Sequence, residues 1–342
     1  MPAGEPDWTA PIEELLVARQ GGLGRLRLNR PGPINALTLA MIEAITHQLR
    51  EFAEDESITA VALDGAGERG LCSGADVREI REWMVHGSGD PVRFWRAEYA
   101  LNAMIADYPK PYVAFMDGIV MGGGIGLSAH GSLRLVTERT RAAMPEAGIG
   151  FFPDVGALYF LSRSPGQVGT HLALTGTSMT GADAIAAGLA DSLIPAEQWP
   201  QLCARLAAGE EVDAAVGERA PTSGLLGQRH WIDPCYRGED PAEIEAALCA
   251  HPAAEPRSAA ETLRSRSPLS VAVTLAALRR AESMDSVAEV LEQDLRLGMT
   301  FLPGSDFVEG VRALLVDKDN TPQWQYDSVA QVPPERVEAL FT

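Results

Sequence analysis

The chain has 342 residues, of which 46% are hydrophobic and 22% are charged, as in folded globular proteins and unlike disordered ones. Its 47 acidic residues outnumber its 28 Lys and Arg residues, and the formal net charge of -19 argues against binding to nucleic acid or to anionic membranes. A chain of this length can form one large domain with a smaller appendage.

Cysteine and histidine spacing predicts neither a disulfide framework nor a metal site. The 4 cysteines contain no C-x-x-C pair and the 6 histidines no H-x-x-x-H pair. Residues 1–14 lack a basic segment followed by an apolar one, and the uncharged, glycine-rich run 118–133 is shorter than the roughly 20 apolar residues of a membrane span. We therefore expect a cytoplasmic protein without metal.

The first part of the chain alternates predicted strands and helices. Leu23, Leu26 and Leu28 are spaced close to a two-residue alternation, which predicts a strand over 23–28. Thr38 is a good N-cap for the helix that follows, whose apolar residues keep helical spacing up to Asp55. A strand over 59–64 follows. The sequence then predicts helices over 76–84 and 92–106 and a buried strand over 112–116.

Two glycine-containing turns each follow an apolar strand and precede a helical segment. One spans 70–76, and the other, Gly122 to Gly124, precedes a helix that we expect to start at Ile125. Such turns leave backbone N–H groups free, so two donors from the two turns can converge on one oxygen as an oxyanion hole. Tight packing is the alternative explanation for a glycine run, and the pairing of the turns favours the oxyanion hole.

Glu146 and Asp154 are isolated carboxylates among apolar residues and glycines. An apolar environment can raise a carboxyl pKa toward neutrality for proton transfer, and a carboxylate can also attack a carbonyl carbon directly. The alternative interpretation is that both are surface turn residues.

The sequence predicts mainly helices for the rest of the chain. Helices are expected over 157–161, 169–175 and 180–188 and a strand over 191–194, whereas 209–240 has the composition of a connecting insertion. Further helix starts are predicted at Asp240, Ser267, Asp285 or Ser286, and Asp306. This pattern indicates an α/β protein with a helical C-terminal region, and a doubly wound sheet remains open.

An ordered series of motifs carries a family resemblance. It comprises L-N-R-P with N-A-L-T (Leu28 to Thr38), C-S-G-A-D (Cys72 to Asp76), E-Y (Glu98, Tyr99), K-P-Y-V-A (Lys110 to Ala114), M-G-G-G-I-G-L-S (Met121 to Ser128), M-P-E, F-P-D-V-G and the run from Asp306 to Asp319. These residues resemble the crotonase (enoyl-CoA hydratase/isomerase) superfamily, and most closely its branch that hydrolyses 3-hydroxyisobutyryl-CoA. The resemblance implies a ββα spiral core over 13–208, an insertion and helical region over 209–342, and a homo-oligomer.

The resemblance also implies roles for individual residues. The N–H groups of Ala75 and Gly123 form the oxyanion hole, Glu146 attacks the thioester or activates water, Asp154 binds the substrate 3-hydroxyl, and Glu98 lies beside the acyl pocket. For Glu98 the alternative is a solvated helical acid. The acyl-CoA is the substrate, so no cofactor is expected. A polyanionic coenzyme A needs a basic patch, for which the candidates are Arg25, Arg27, Arg30, Arg69 and Arg78.

Three functions are compatible with these residues. The first is hydrolysis of a short branched 3-hydroxyacyl-CoA thioester in valine breakdown, and the second is enoyl-CoA hydration or isomerisation. Hydratases of the superfamily place two glutamates around the catalytic water, at the positions of Gly126 and Glu146, and only the second is present. The third is a non-catalytic scaffold, which predicts loss of the acids.

Overall fold

The computed structural model describes residues 6–302 and 306–342. The strands are β1 Thr9–Ile12, β2 Leu15–Gln20, β3 Leu23–Leu28, β4 Ala60–Gly65, β5 Gly70–Cys72, β6 Tyr112–Met116, β7 Ile119–Met121, β8 Leu133–Val136, β9 Arg141–Ala143, β10 Met179–Thr180 and β11 Ser192–Leu193. The helices are α1 Leu39–Glu54, α2 Val77–His86, α3 Pro91–Ala106, α4 Gly123–Ser128, α5 Ala157–Leu161, α6 Val168–Thr175, α7 Gly181–Ala186, α8 Trp199–Ala207, α9 Arg229–Cys235, α10 Pro241–Ala250, α11 Ala254–Arg264, α12 Pro268–Ala281, α13 Val287–Phe301, α14 Phe307–Val311 and α15 Pro334–Glu338.

Contacts divide the chain into two compact units. The first comprises Met1–Ala75, Ala97–Ala142 and Met179–Ser223, and the second comprises Asp76–Arg96, Ala143–Ser178 and Gly224–Thr342. Both units are therefore assembled from segments that interleave along the sequence. The predicted division into 13–208 and 209–342 stays a prediction.

Two sheets are built from the strands of the first unit. The seven-stranded sheet has the order β1-β2-β3-β4-β6-β8-β11, antiparallel across β1, β2 and β3 and parallel from β3 onward. The second sheet has four strands in the order β10-β9-β7-β5. Consecutive strands alternate between the two sheets: β4 then β5, β6 then β7, β8 then β9. This strand-strand-helix repeat differs from a doubly wound fold, in which one sheet has helices on both faces.

One face of the seven-stranded sheet forms a core against α8. The period of two along a strand places Ala60 and Ala62, Val113 and Phe115, and Leu133 and Leu135 on this face. Trp199 of α8 stacks on Phe115 with ring centroids 4.6 Å apart and planes 3° apart.

An aromatic cluster anchors the segment that contains both predicted catalytic acids in the second unit. Phe151 lies between Trp95 at 5.3 Å and Phe307 at 5.8 Å, measured between ring centroids. Phe152 contacts Phe151 at 4.4 Å and Phe301 at 5.9 Å. These edge-on and tilted contacts fix the backbone between the two acids.

Local sequence signals identified most helix starts correctly. Side chains at five predicted helix starts accept hydrogen bonds from the first turns of α1, α2, α10, α12 and α13; these residues are Thr38, Asp76, Asp240, Ser267 and Ser286. The predicted insertion over 209–240 contains the helix α9, which composition alone did not indicate. The α/β class with a helical C-terminal region is confirmed.

Candidate active site

The Ala75 N–H lies just after a strained turn in the first unit. Gly74 has φ +100°, a region that favours glycine, and its carbonyl accepts a hydrogen bond from the Leu37 N–H at 2.8 Å. Ala75 also forms an isolated parallel bridge with Leu37. Within the part of the chain that the structure describes, the Ala75 N–H donates no hydrogen bond. It is therefore available to a ligand oxygen.

Gly123 is the first residue of α4, so the helix begins two residues before the predicted Ile125. The N–H of a first helical residue has no partner inside the helix. A Cβ atom at Gly123 would lie 3.5 Å from the Ala75 nitrogen, and one at Gly74 would lie 3.6 Å from the Gly123 nitrogen. The two backbone donors of the predicted oxyanion hole are thus neighbours in the structure.

Glu98 completes this group of residues. Its side chain is 2% exposed, so the interpretation as a solvated helical acid is wrong. A Cβ atom at Gly123 would overlap Glu98 Oε1 and approach Leu37 Cδ1 at 3.0 Å, so a side chain at that position requires Glu98 or the backbone to move. The structure brings Ala75, Gly123 and Glu98 together, as the resemblance implies.

Cys72 lies beside these residues but is not a nucleophile. Burial, with a smaller contribution from the charge of Glu98, raises the pKa of the Cys72 thiol to about 12. The thiol therefore stays protonated at neutral pH, and a protonated thiol is a poor nucleophile.

Most of the arginine candidates for coenzyme A already have protein partners, which corrects the prediction. Arg25 and Arg27 pair with the buried Asp64, at 2.7 Å for Arg25 Nη2. Trp199 Nε1 donates to the same carboxylate at 2.8 Å. Because leaving Asp64 unpaired in the core is costly, Arg25 and Arg27 are structural. Arg69 donates to the carbonyls of residues 31 and 32, Arg30 donates to Ala36, and Arg78 is exposed on α2.

Glu146 opens a short 3-10 turn, Glu146–Ile149, in the second unit. Its side chain is 8% exposed, which excludes the interpretation as a surface turn residue. The turn is fixed from both ends: the Phe151 N–H donates to the Glu146 carbonyl at 3.0 Å, and the Ser267 N–H donates to the Ala147 carbonyl at 3.1 Å.

Arg266 lies beside this turn and was not identified from the sequence. Its Nε and Nη2 donate to the Thr175 carbonyl at 2.9 and 2.6 Å, and a Cβ atom at Gly148 would lie 3.1 Å from its Nη1. Burial lowers its pKa. No sequence signal marked it, because an arginine at a helix end is usually solvated.

Asp154 precedes a turn with unusual backbone angles. Its side chain is 5% exposed, so it too is not a surface residue. Val155 has φ +53° and Gly156 has φ +73°. A β-branched residue at positive φ is a genuine outlier and carries backbone strain. The Gly156 N–H donates to Asp294 Oδ2 at 2.8 Å.

Asp294 is a further buried carboxyl group, which sequence reasoning missed. It is 0% exposed, and burial together with the charge of Asp154 raises its pKa well above the usual range. A signal was present: Asp294 falls at helical spacing among the buried Val290, Leu297 and Phe301 of α13. An acid on the apolar face of a helix indicates a specific partner.

The described residues contain no group of three or more His, Cys, Asp or Glu side chains arranged to hold a metal ion. Over the same ranges, every helix is too short or too polar to cross a bilayer.

Comparison with known proteins identifies the family. The enoyl-CoA hydratase/isomerase profile matches residues 23–341. A Danio rerio protein described as mitochondrial 3-hydroxyisobutyryl-CoA hydrolase is 38% identical, covering 96% of this chain and 89% of its own. A Neurospora crassa protein described as small ribosomal subunit protein mS47 is 36% identical, covering 94% of this chain and 70% of its own.

Solved structures share the fold along the whole chain. A Mycobacterium thermoresistibile protein described as a carnitinyl-CoA dehydratase superposes with a TM-score of 0.92 at 47% identity, covering 97% of both chains. A Rhodobacter sphaeroides protein described as an enoyl-CoA hydratase gives 0.91 at 37% identity, covering 96% of this chain and 97% of that one. The predicted crotonase-type fold is confirmed.

Proposed function

Because the chain belongs to the enoyl-CoA hydratase/isomerase family, we propose that it hydrolyses 3-hydroxyisobutyryl-CoA to 3-hydroxyisobutyrate and free coenzyme A, a step of valine breakdown. Similarity to the Danio rerio hydrolase over 96% of the chain supports this proposal. The reaction needs donors for the thioester oxygen, a group that attacks or activates water, and a partner for the 3-hydroxyl. A candidate is present for each, and Gly123, Glu146 and Asp154 are buried.

Negative charge develops on the thioester oxygen during hydrolysis. In this proposal the N–H groups of Ala75 and Gly123 stabilise it, and donors of this kind are typically worth about 2.7 to 4 kcal/mol each in the transition state. Both N–H groups lack partners among the described residues, and the Glu98 carboxylate occupies the space beside the α-carbon of Gly123.

Glu146 supplies the carboxylate in one of two ways. It attacks the thioester carbon, coenzyme A thiolate leaves and takes up a proton, and water then cleaves the resulting anhydride to give the acid and restore Glu146. In the other way it removes a proton from water, which attacks the carbon directly. Asp154 binds the 3-hydroxyl and assists proton transfer. Coenzyme A is part of the substrate, and the proposal requires no cofactor.

The lack of an acidic side chain at Gly126 is the observation that favours hydrolysis over hydration. Adding water to a double bond requires a base for the water and an acid for the α-carbon, and the family resemblance places the second glutamate at position 126. Gly126 is a buried residue of α4 and has no side chain to donate a proton. Hydrolysis, with Glu146 as nucleophile or base, requires no acid at position 126.

Hydration is the second candidate, because the Mycobacterium thermoresistibile structure at 47% identity is described as a dehydratase. One preparation tests both reactions: thiol release from 3-hydroxyisobutyryl-CoA with a chromogenic disulfide, and hydration of crotonyl-CoA by loss of the enoyl thioester absorbance. We expect thiol release with slow or no hydration. Efficient hydration without thiol release would overturn the proposal.

A scaffold is the third candidate, because a relative is described as a ribosomal subunit protein. The presence and burial of both Glu146 and Asp154 favour an enzyme. Absence of turnover across a panel of acyl-CoA esters would favour the scaffold. The cytoplasmic location and the homo-oligomer stay predictions.

A further inference from the structure

The turn that carries Asp154 is held from a distant helix. Gly156 donates its N–H to Asp294 Oδ2 at 2.8 Å, a contact between residues 138 positions apart. The N-cap of α5 is Gly156, which has no side chain to cap the helix. Val155, between Asp154 and Gly156, is at φ +53° and is 1% exposed. Strain of this kind persists only where surrounding contacts hold it, and it is common at functional sites.

Asp294 is poorly suited to a purely structural role. It lies at 0% exposure on a helix face that is otherwise formed by residues such as Val290 and Leu297. Its Oδ1 is buried and accepts no hydrogen bond from the described residues. An apolar side chain would suit this face better, because burying a carboxyl group costs free energy. The carboxyl group instead accepts a hydrogen bond from the turn next to Asp154.

The environment of Asp294 disfavours its ionised form. Burial, and to a smaller extent the charge of Asp154, raises the pKa of Asp294 well above the usual range. Two neighbouring carboxyl groups in a buried site resist ionising together. Asp294 is the more deeply buried of the two, which favours its protonated form.

We infer that Asp294 is a positioning residue for Asp154: by accepting the Gly156 N–H it fixes the left-handed turn at Val155 and Gly156 and so sets the direction of the Asp154 carboxylate. This inference rests on the proposed function, in which Asp154 recognises the substrate 3-hydroxyl. It assigns to Asp294 part of the selectivity for hydroxylated acyl groups. The neutral carboxyl group stays in place beside Asp154 without adding a second negative charge.

The test measures the ratio of kcat/KM for 3-hydroxyisobutyryl-CoA to that for isobutyryl-CoA. Asp294→Leu removes the acceptor and should lower this ratio at least about fivefold, the effect of a lost or misplaced hydrogen bond. Asp294→Asn keeps a carbonyl oxygen for Gly156 and the neutral charge, so it should retain the ratio within about twofold. If Asp294→Leu does not fold, Asp294→Ala removes the same acceptor without adding bulk.

Gln293→Leu is the matched control. Gln293 is the neighbouring residue of α13, is 3% exposed, and donates a hydrogen bond to the Ala277 carbonyl at 3.2 Å. It should leave the ratio unchanged. A wild-type ratio in Asp294→Leu, an equal loss in Gln293→Leu, or a loss in Asp294→Asn as large as in Asp294→Leu would each overturn the inference.

A second measurement separates this inference from the proposed function. If the wild-type protein releases no thiol from either ester, the proposed function fails, and exchange of the Gly156 amide with deuterium then tests Asp294. Exchange should be at least about tenfold faster in Asp294→Leu than in Gln293→Leu. Equal exchange in the two variants would show that Asp294 does not hold the turn.

Discussion

Glu98 Oε1 lies against the α-carbon of Gly123, in the space that a Cβ atom would occupy. Gly123 is also the residue whose N–H the proposal assigns to the thioester oxygen. A side chain at position 123 would therefore have to displace either Glu98 or the backbone donor.

Gly123→Ala is expected to lower kcat about 100-fold or more, because avoiding Glu98 displaces the N–H of residue 123, and loss of one oxyanion donor typically costs that much. Steady-state thiol release measures the effect. The control is Gly32→Ala, since a Cβ atom at Gly32 meets nothing within 4 Å. Equal rates in the two variants would contradict the role of Gly123.

Glu146→Gln is expected to reduce thioester hydrolysis about 100-fold or more and to leave acyl-CoA binding nearly unchanged. The amide keeps the shape of the side chain and removes its charge, and general base catalysis contributes about 10² to 10⁴ in rate. Thiol release and calorimetric binding separate the two effects. Glu292→Gln, at an exposed position of α13, is the control. Turnover like that of the wild type in Glu146→Gln would refute the assignment.

Asp154→Ala is expected to penalise 3-hydroxyisobutyryl-CoA more than isobutyryl-CoA, by about 1 to 3 kcal/mol in transition-state stabilisation. The lost group is the partner of the hydroxyl, which isobutyryl-CoA lacks. Values of kcat/KM for both esters measure the difference. An equal fall for the two substrates would assign Asp154 another role.

Asp294→Asn is expected to gain stability relative to the wild type as the pH rises from 4 to 7. The pKa of Asp294 is raised in the folded protein, so above pH 4 the unfolded chain loses the proton that the folded protein keeps. The contribution of Asp294 to the wild-type free energy of unfolding therefore falls with rising pH until the raised pKa is reached, by at most about 1.4 kcal/mol per pH unit. The amide does not titrate.

Urea unfolding at pH 4, 5, 6 and 7 measures this difference between variant and wild type. Asp285→Asn, at an exposed position just before α13, provides the comparison and should show a nearly constant difference. A pH-independent difference for Asp294→Asn would show that the carboxyl is ionised or solvated in the folded protein.

The sequence by itself determined the local structure. The Thr38 and Ser267 caps, the helical spacing in α1 and the two-residue alternation in β3 are read from neighbouring residues, and the structure has these elements where they were predicted. The two glycine turns and the acids Glu146 and Asp154 also stood out, because glycines at turns and acids among apolar residues are local anomalies. Ordered motifs then identified the family.

Only the tertiary structure decided which side chains meet. The sequence made Arg25 a candidate for the coenzyme A patch, whereas the sheet places it 2.7 Å from Asp64. Asp294 contacts Gly156 across 138 residues, and a pairing at that separation leaves no periodicity or spacing in the sequence. Helical spacing could show that Asp294 faces the core. Its partner could not be known, because burial is encoded along one element whereas a contact depends on how distant segments pack.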